Sequence, residues 1–286
     1  VAHINIANGV LVRSMWPNQI GSPSTDNRDV LDMHVHQLVP ETFDELIRFY
    51  YTFRVPSRGV GRYIHKLAFT PETSPEVGER IIEPAFRFQG VVQAAALSPS
   101  GNWNGNVMNC AKAGQRLVLK GIAGNEAFST LLAQLDGLRE YIYASLNVHP
   151  AREFVNTADS LVFSREVFQK VMPGQITPAA VAFQQMDDQD GRLQRVQHMW
   201  RVVHQIRCGV QDANGILRPA RYLSIRQGDF VDVAATVKIV VTNKSGRKDI
   251  SIYLEPQQVF RLRSASEMMV STFCISRRLV VTFSYL

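Results

Sequence analysis

The stretch FVDVAATVKIVVTNKSGRKDISIYL, residues 230–254, decides the reading of the fold. Val231, Val233, Ala235, Val237, Ile239 and Val241 fall on one face of an extended chain. Asp232, Thr236, Lys238 and Thr242 fall on the other, which is the period-two signature of a half-buried strand. Asn243 to Lys248 turns the chain, and Ile250, Ile252 and Leu254 resume the alternation. Val259 to Arg263 continues it past a break at Pro256, and Met269 to Phe283 has further strand character. A long hairpin within a larger antiparallel sheet is predicted.

Upstream, residues 123–209 read as helical. Asn125 is placed to cap a helix running to about Asn147, with Phe128, Leu131, Leu132, Leu135, Leu138, Ile142 and Leu146 at three- and four-residue spacing. Ser164 to Val171 reads as a shorter helix and Thr177-Pro178 as a helix start. Gly191 to Arg207 reads as another, with Leu193, Val196, Met199, Trp200, Val203 and Ile206 on one face.

Residues 1–122 read as β-rich. Ile4 to Val12 and Leu31 to Val35 have strand character, and Ala85 to Leu97 with Val107 to Ile122 reads as a hairpin with Asn104-Gly105 in its connection. Thr42 and Glu45 form a capping-box pattern, followed by the alternating Ile47, Phe49, Tyr51, Phe53 and Val55, so a helical turn entering a strand is predicted. The expected fold is therefore α+β. It has an antiparallel β-rich body, sandwich- or jelly-roll-like, with a central helical segment and a β-meander over 210–286, all in one domain spanning 1–286.

The chain has 286 residues, 45% of them hydrophobic, enough for a substantial core and too many for a disordered chain. Cys110, Cys208 and Cys274 are few and far apart, so no disulfide framework or zinc signature is expected. No apolar run approaches the roughly 20 residues that span a bilayer. A soluble intracellular protein, or a virion protein if a coat, is expected. The start at Val1 is compatible with methionine removal, an upstream segment or release from a precursor.

The net charge is +6, carried by 24 Arg and 7 Lys. A basic balance favours anionic partners, and the guanidinium fork suits phosphate. Two segments concentrate this character. Arg48 to Lys66 carries Arg54, Arg58, Arg62 and Lys66 among aromatics including Tyr63, and Ser57 to Arg62 reads as a mobile basic loop. The hairpin tip carries Lys244, Arg247 and Lys248, a basic ribbon end that fits a nucleic-acid groove.

Other constellations carry less. Asp32, His34 and His36 share a face if extended, but adjacent same-face residues sit roughly 7 Å apart, awkward for one metal. Asp187 to Gly191 resembles a calcium loop but has Met186 and Gln197 where acids are required, so a polar break leading into a helix is expected. GxSxG, HExxH and GxGxxG are absent. No cofactor, metal or catalytic residue is assigned and no enzymatic role is expected. The leading expectation is a self-assembling coat, shell or filament subunit associated with RNA or DNA, with further copies of itself as partners. The alternative is a cellular DNA- or RNA-binding module without self-assembly, and an enzyme with catalytic residues dispersed along the chain ranks third.

Overall fold

A computed structural model describes residues 1–6, 9–22, 28–59, 62–76, 80–148, 159–172, 179–181, 185–244 and 247–269. The 230–254 stretch forms its spine. Strands β1 (Asn5–Ile6) and β2 (Val10–Leu11) make a small hairpin. Helix α1 (Phe43–Phe49) leads into β3 (Tyr50–Gly59) and β4 (Arg62–Phe69). Then come β5 (Phe86–Ala96), β6 (Gly114–Lys120), helix α2 (Ala127–Ser145) and β7 (Ser160–Glu166). The chain continues through β8 (Phe168–Lys170), helix α3 (Arg192–Val196), β9 (Trp200–Val202), β10 (Arg207–Gln211) and β11 (Leu217–Pro219). The long strands β12 (Phe230–Lys244) and β13 (Arg247–Arg263) follow, and residues 265–269 form a helical turn after them.

The β-rich body with a few helices is present, but the pairings are not those of a sandwich or jelly roll. Strand β5 pairs with β6, β6 with β7, β7 with β13, β13 with β12, and β12 returns to β5. Five strands therefore close on themselves. The β7–β13 pairing is parallel, so the sheet is mixed. The coat or shell expectation leaned on a sandwich body and loses that support.

Closure buries one face of each strand. Leu117, Leu119, Phe163, Val233, Ala235 and Val259 have no exposed surface. The rings of Phe88 and Phe163 meet edge-to-face at 5.5 Å although β6 separates their strands, which places both inside the barrel. The seam between β7 and β13 has one paired position, Leu254 with Phe163. The buried Arg165 reinforces it by donating from Nη1 to the Pro256 carbonyl at 3.2 Å and to Gln257 Oε1 at 3.0 Å.

Helix α2 covers one region of this core. Leu131, Leu135, Leu138 and Ile142 are buried as their spacing predicts, and Asn125 Oδ1 accepts from the Ala127 amide at 3.0 Å. Phe128 packs on Gly121 so closely that a Cβ there would lie 2.9 Å from the Phe128 Cβ. The N-terminal segment covers the outer face of β5 and β12. There Trp16 meets Phe230 at 4.9 Å, and buried Gln89 bonds both Asp232 and the Gly21 carbonyl. The outer face of β6 and β7 stays open: Arg116, Lys120 and Val162 are exposed.

Beyond the barrel, β12 continues into an extension of the sheet. Its distal half pairs with β4, from Lys238 opposite Lys66 to Thr242 opposite Arg62, and β3 pairs on the far side of β4. The capping box at Thr42 forms as predicted, with Thr42 Oγ1 accepting from the Glu45 amide and the Glu45 carboxylate from the Thr42 amide, both at 3.3 Å.

Several expectations are corrected. Ser160–Glu166 and Phe168–Lys170 are strands, not a helix beginning at Ser164, because Leu161 and Phe163 alternate into the barrel. The helix expected over 191–207 is five residues long, and the chain then enters β9 and β10. The Leu31 to Val35 segment forms two short 3-10 turns, with Leu31 almost fully exposed. Val107–Lys112 is a 3-10 turn rather than strand. The strand expected over Ile4 to Val12 is split into β1 and β2. The 210–286 segment is not a meander, since β10 pairs in parallel with β13. The helix start at Thr177-Pro178 and most of the Met269 to Phe283 strand lie outside the described residues.

Candidate nucleic-acid interface

Directly paired residues in an antiparallel sheet project to the same side. On the extension, Arg62, Ile64 and Lys66 of β4 therefore share a face with Lys238 and Val240 of β12 and with Phe53 and Val55 of β3. Tyr253 of β13, opposite Lys238, lies on this face too. The reverse face holds Arg54, Tyr63 and His65, where the Arg54 guanidinium stacks over the Tyr63 ring at 4.1 Å.

The first face forms one wall of a cleft of about 550 Å³. The opposing wall is the β8–β9 ribbon, which brings Phe168, Lys170 and Trp200, followed by His204. Five cations line the cleft: Arg62, Lys66, Arg165, Lys170 and Lys238. They face two carboxylates, Glu166 and Glu255. The Lys170 ammonium lies 6.0 Å from the Trp200 ring centroid.

Charge pairing orders this wall. Lys238 is only 8% exposed and contacts Glu166 at 3.0 Å and Glu255 at 3.4 Å. Lys66 bonds Glu83 at 2.7 Å. Burial lowers the Arg165 guanidinium below its ordinary value, while Glu255 and Glu83 oppose that shift. Desolvation, then the charges of Arg165 and Lys66, push His204 down to about 4, so this ring is neutral at pH 7 and adds hydrogen-bonding capacity rather than charge.

A second, smaller cleft of about 220 Å³ adjoins the first, and Ala111, Arg165, Glu166, Lys238 and Glu255 line both; the two together are called the groove. It runs past Lys112, Gly114 and Ser164 onto the outer face of β6 and β7. Arg116 stands opposite Ser164 and Lys120 opposite Ser160 on that face. Lys112, Arg116 and Lys120 are exposed and form no ion pair among the described residues. One path thus crosses β6, β7, β13, β12 and β4 in neighbouring order.

The residues singled out from sequence are divided by this geometry. Arg62 and Lys66 lie in the groove, whereas Arg54 and Tyr63 lie behind it. Arg58 belongs to β3 rather than to a mobile loop, and its side chain lies outside the described residues. Lys244 and Arg247 pair at the hairpin tip, again without described side chains, and Lys248 is exposed opposite Asn243. Asp188 is a helix cap: its carboxylate accepts from the Leu193 and Gln194 amides at 2.9 and 3.1 Å, as expected of an acid at a helix start. His34 and His36 stack at 5.5 Å on a turn, not along a strand. No local sequence pattern groups Lys112, Arg116, Lys120, Arg165, Lys170, Trp200 and Lys238. The available signal was the alternation of Arg116, Val118 and Lys120 on β6 and the lone cation Lys238 in an apolar run.

No family model matches this chain, and no curated protein matches it. Among solved structures it is similar to the single-stranded DNA-binding protein from bacteriophage Enc34, at 10% identity and a TM-score of 0.26, over 74% of this chain and 90% of that one. The same phage protein in complex with ssDNA gives 12% identity and a TM-score of 0.27, over 74% and 96%.

Proposed function

We propose that this chain binds single-stranded nucleic acid along the groove, acting by binding rather than catalysis and without requiring self-assembly. The observation that carries the reading is the juxtaposition of Lys112, Arg116 and Lys120, exposed and without an ion pair among the described residues, with two adjoining clefts lined by cations and Trp200. Cations spaced along a groove neutralise successive phosphates, and exposed aromatic faces stack on unpaired bases irrespective of sequence. The groove carries side chains of both kinds, with the exposed Tyr253 and the half-buried Trp200 flanking the charge.

The barrel topology agrees with this reading. Five-stranded Greek-key barrels of the oligonucleotide-binding kind use their second and third strands, with the loops after the first and fourth strands, as the ligand face. In this chain those elements are β6 and β7, the 97–113 connection, and the Lys244–Arg247 tip. Two features depart from the plain pattern. Helix α2 falls between the second and third strands, and β8 to β11 are inserted between the third and fourth. This is analogy of architecture, and the residues of the groove carry the functional argument.

The test is binding of a labelled oligothymidylate of about 16 nucleotides, followed by fluorescence anisotropy at several salt concentrations. Three phosphate contacts at about 0.7 released counterions each give a log–log slope of about −2 or steeper, near a 20-fold loss of affinity between about 50 and 200 mM salt. Absence of binding at low salt, or affinity independent of salt, contradicts the proposal.

A further inference from the structure

Glu166 occupies a distinctive place: it is where the two parts of the groove join. It is the last residue of β7, and its two carboxylate oxygens are divided between two cations. Oε1 accepts from Arg62 Nη2 at 3.3 Å, and Oε2 lies 3.0 Å from Lys238 Nζ. A phosphodiester offers the same recognition element, two anionic oxygens on one centre. From this geometry we infer that Glu166 is a built-in phosphate mimic that holds the Arg62–Lys238 position until an incoming strand displaces it. The inference rests on the proposed function and adds the identity of a competing residue within that site.

Two further observations fit displacement. The Glu166 side chain is 55% exposed and Arg62 is 46% exposed, so both can move without opening the core. Lys238 is held differently: its side chain is 10% exposed and it keeps Glu255, 13% exposed, as a second counter-charge. Departure of Glu166 therefore leaves no buried lysine without a carboxylate, which removes the main cost of breaking a buried pair. Burial acts to raise the Glu166 carboxyl, but Lys238 and Arg62 outweigh it and hold the group below the usual carboxylate range, so it is ionised and competes at neutral pH.

The experiment compares wild type, Glu166→Gln and Glu166→Asp with the same oligothymidylate across salt. Glu76→Gln is a control that removes an equal charge from the exposed Glu76–Arg80 pair. Removing the competitor spares the strand the displacement, so Glu166→Gln is expected to bind about fivefold more tightly near 0.1 M salt, with the slope about unchanged because the same phosphates are contacted in both proteins. Glu166→Asp keeps the charge but shortens the reach across both cations, and a smaller gain is expected; this variant decides the matter if the glutamine variant does not fold. Affinity equal to or weaker than wild type, or a gain matched by Glu76→Gln, overturns the inference while leaving the groove reading in place. A wild-type protein that binds no strand at any salt overturns both.

Discussion

Charge reversal of Arg116 and Lys120 together is expected to weaken single-strand binding by about 25-fold or more near 0.1 M salt. Each lost phosphate contact forfeits about 0.7 released counterions, roughly a fivefold effect at that salt, and two such contacts multiply. The slope of log affinity against log salt should become shallower by about 1.4. These residues make a clean test because they are exposed, stand opposite serines, and form no ion pair among the described residues. Surface substitutions of this kind usually change stability by no more than about 0.5 kcal/mol, so a loss of binding reports on the ligand face rather than on folding. Reversal of Arg54, stacked on Tyr63 behind the groove, should have far less effect. An equal loss at Arg54 would place the strand on the reverse face of the sheet.

The second large effect concerns barrel closure. Phe163→Ala is expected to lower the unfolding free energy by about 3–5 kcal/mol, the range for a deleted buried phenylalanine. Phe163 has no exposed surface, meets Phe88 inside the barrel, and occupies the paired position of the β7–β13 seam. Its loss removes an aromatic contact and leaves a cavity where the fewest backbone bonds hold the circuit together. Val162→Ala, one residue away, removes an outward side chain that is 41% exposed and should cost much less, under about 1 kcal/mol. Urea denaturation of both variants measures the contrast. Equal costs would mean that the two faces of β7 are not distinguished as inside and outside.

What could be read from sequence follows the range over which each signal acts. The 230–254 hairpin was legible because its alternation is local and long; β12 and β13 pair from Lys244–Arg247 back to Phe230–Arg263. Helix α2 was legible from seven apolar residues on one face, and the capping box at Thr42 from two side chains three residues apart. The 160–170 and 191–207 segments were misread for a physical reason. Short apolar runs satisfy both periods, and Leu193 with Val196 does make a helical turn before Trp200 starts β9. Closure was not legible. The parallel joining of β13 to β7 and β10 unites residues that are tens of positions apart, and no local pattern specifies such a partner.

The same reason governs the groove. Its charge comes from β4, β6, β7, β8, β12 and the Val107–Lys112 turn, and of these cations Arg62 and Lys66 alone belong to the conspicuous basic segment 48–66. Lys238 reads locally as the polar side of a strand, and Trp200 as part of a helical apolar face. They become neighbours only after the barrel closes and the β8–β9 ribbon folds over the extension. Conversely, the basic density around Arg54 looked like one site because sequence proximity ignores the alternation that sends Arg54 and Tyr63 to the back of the sheet.

The path of the strand is tested most directly by photocrosslinking an oligothymidylate of about 16 nucleotides carrying iododeoxyuridine and locating the adducts by mass spectrometry. Adducts are expected on Trp200 and Tyr253, which line the two clefts. Adducts concentrated on Tyr63, on the reverse face, with none at Trp200 or Tyr253, would contradict this path.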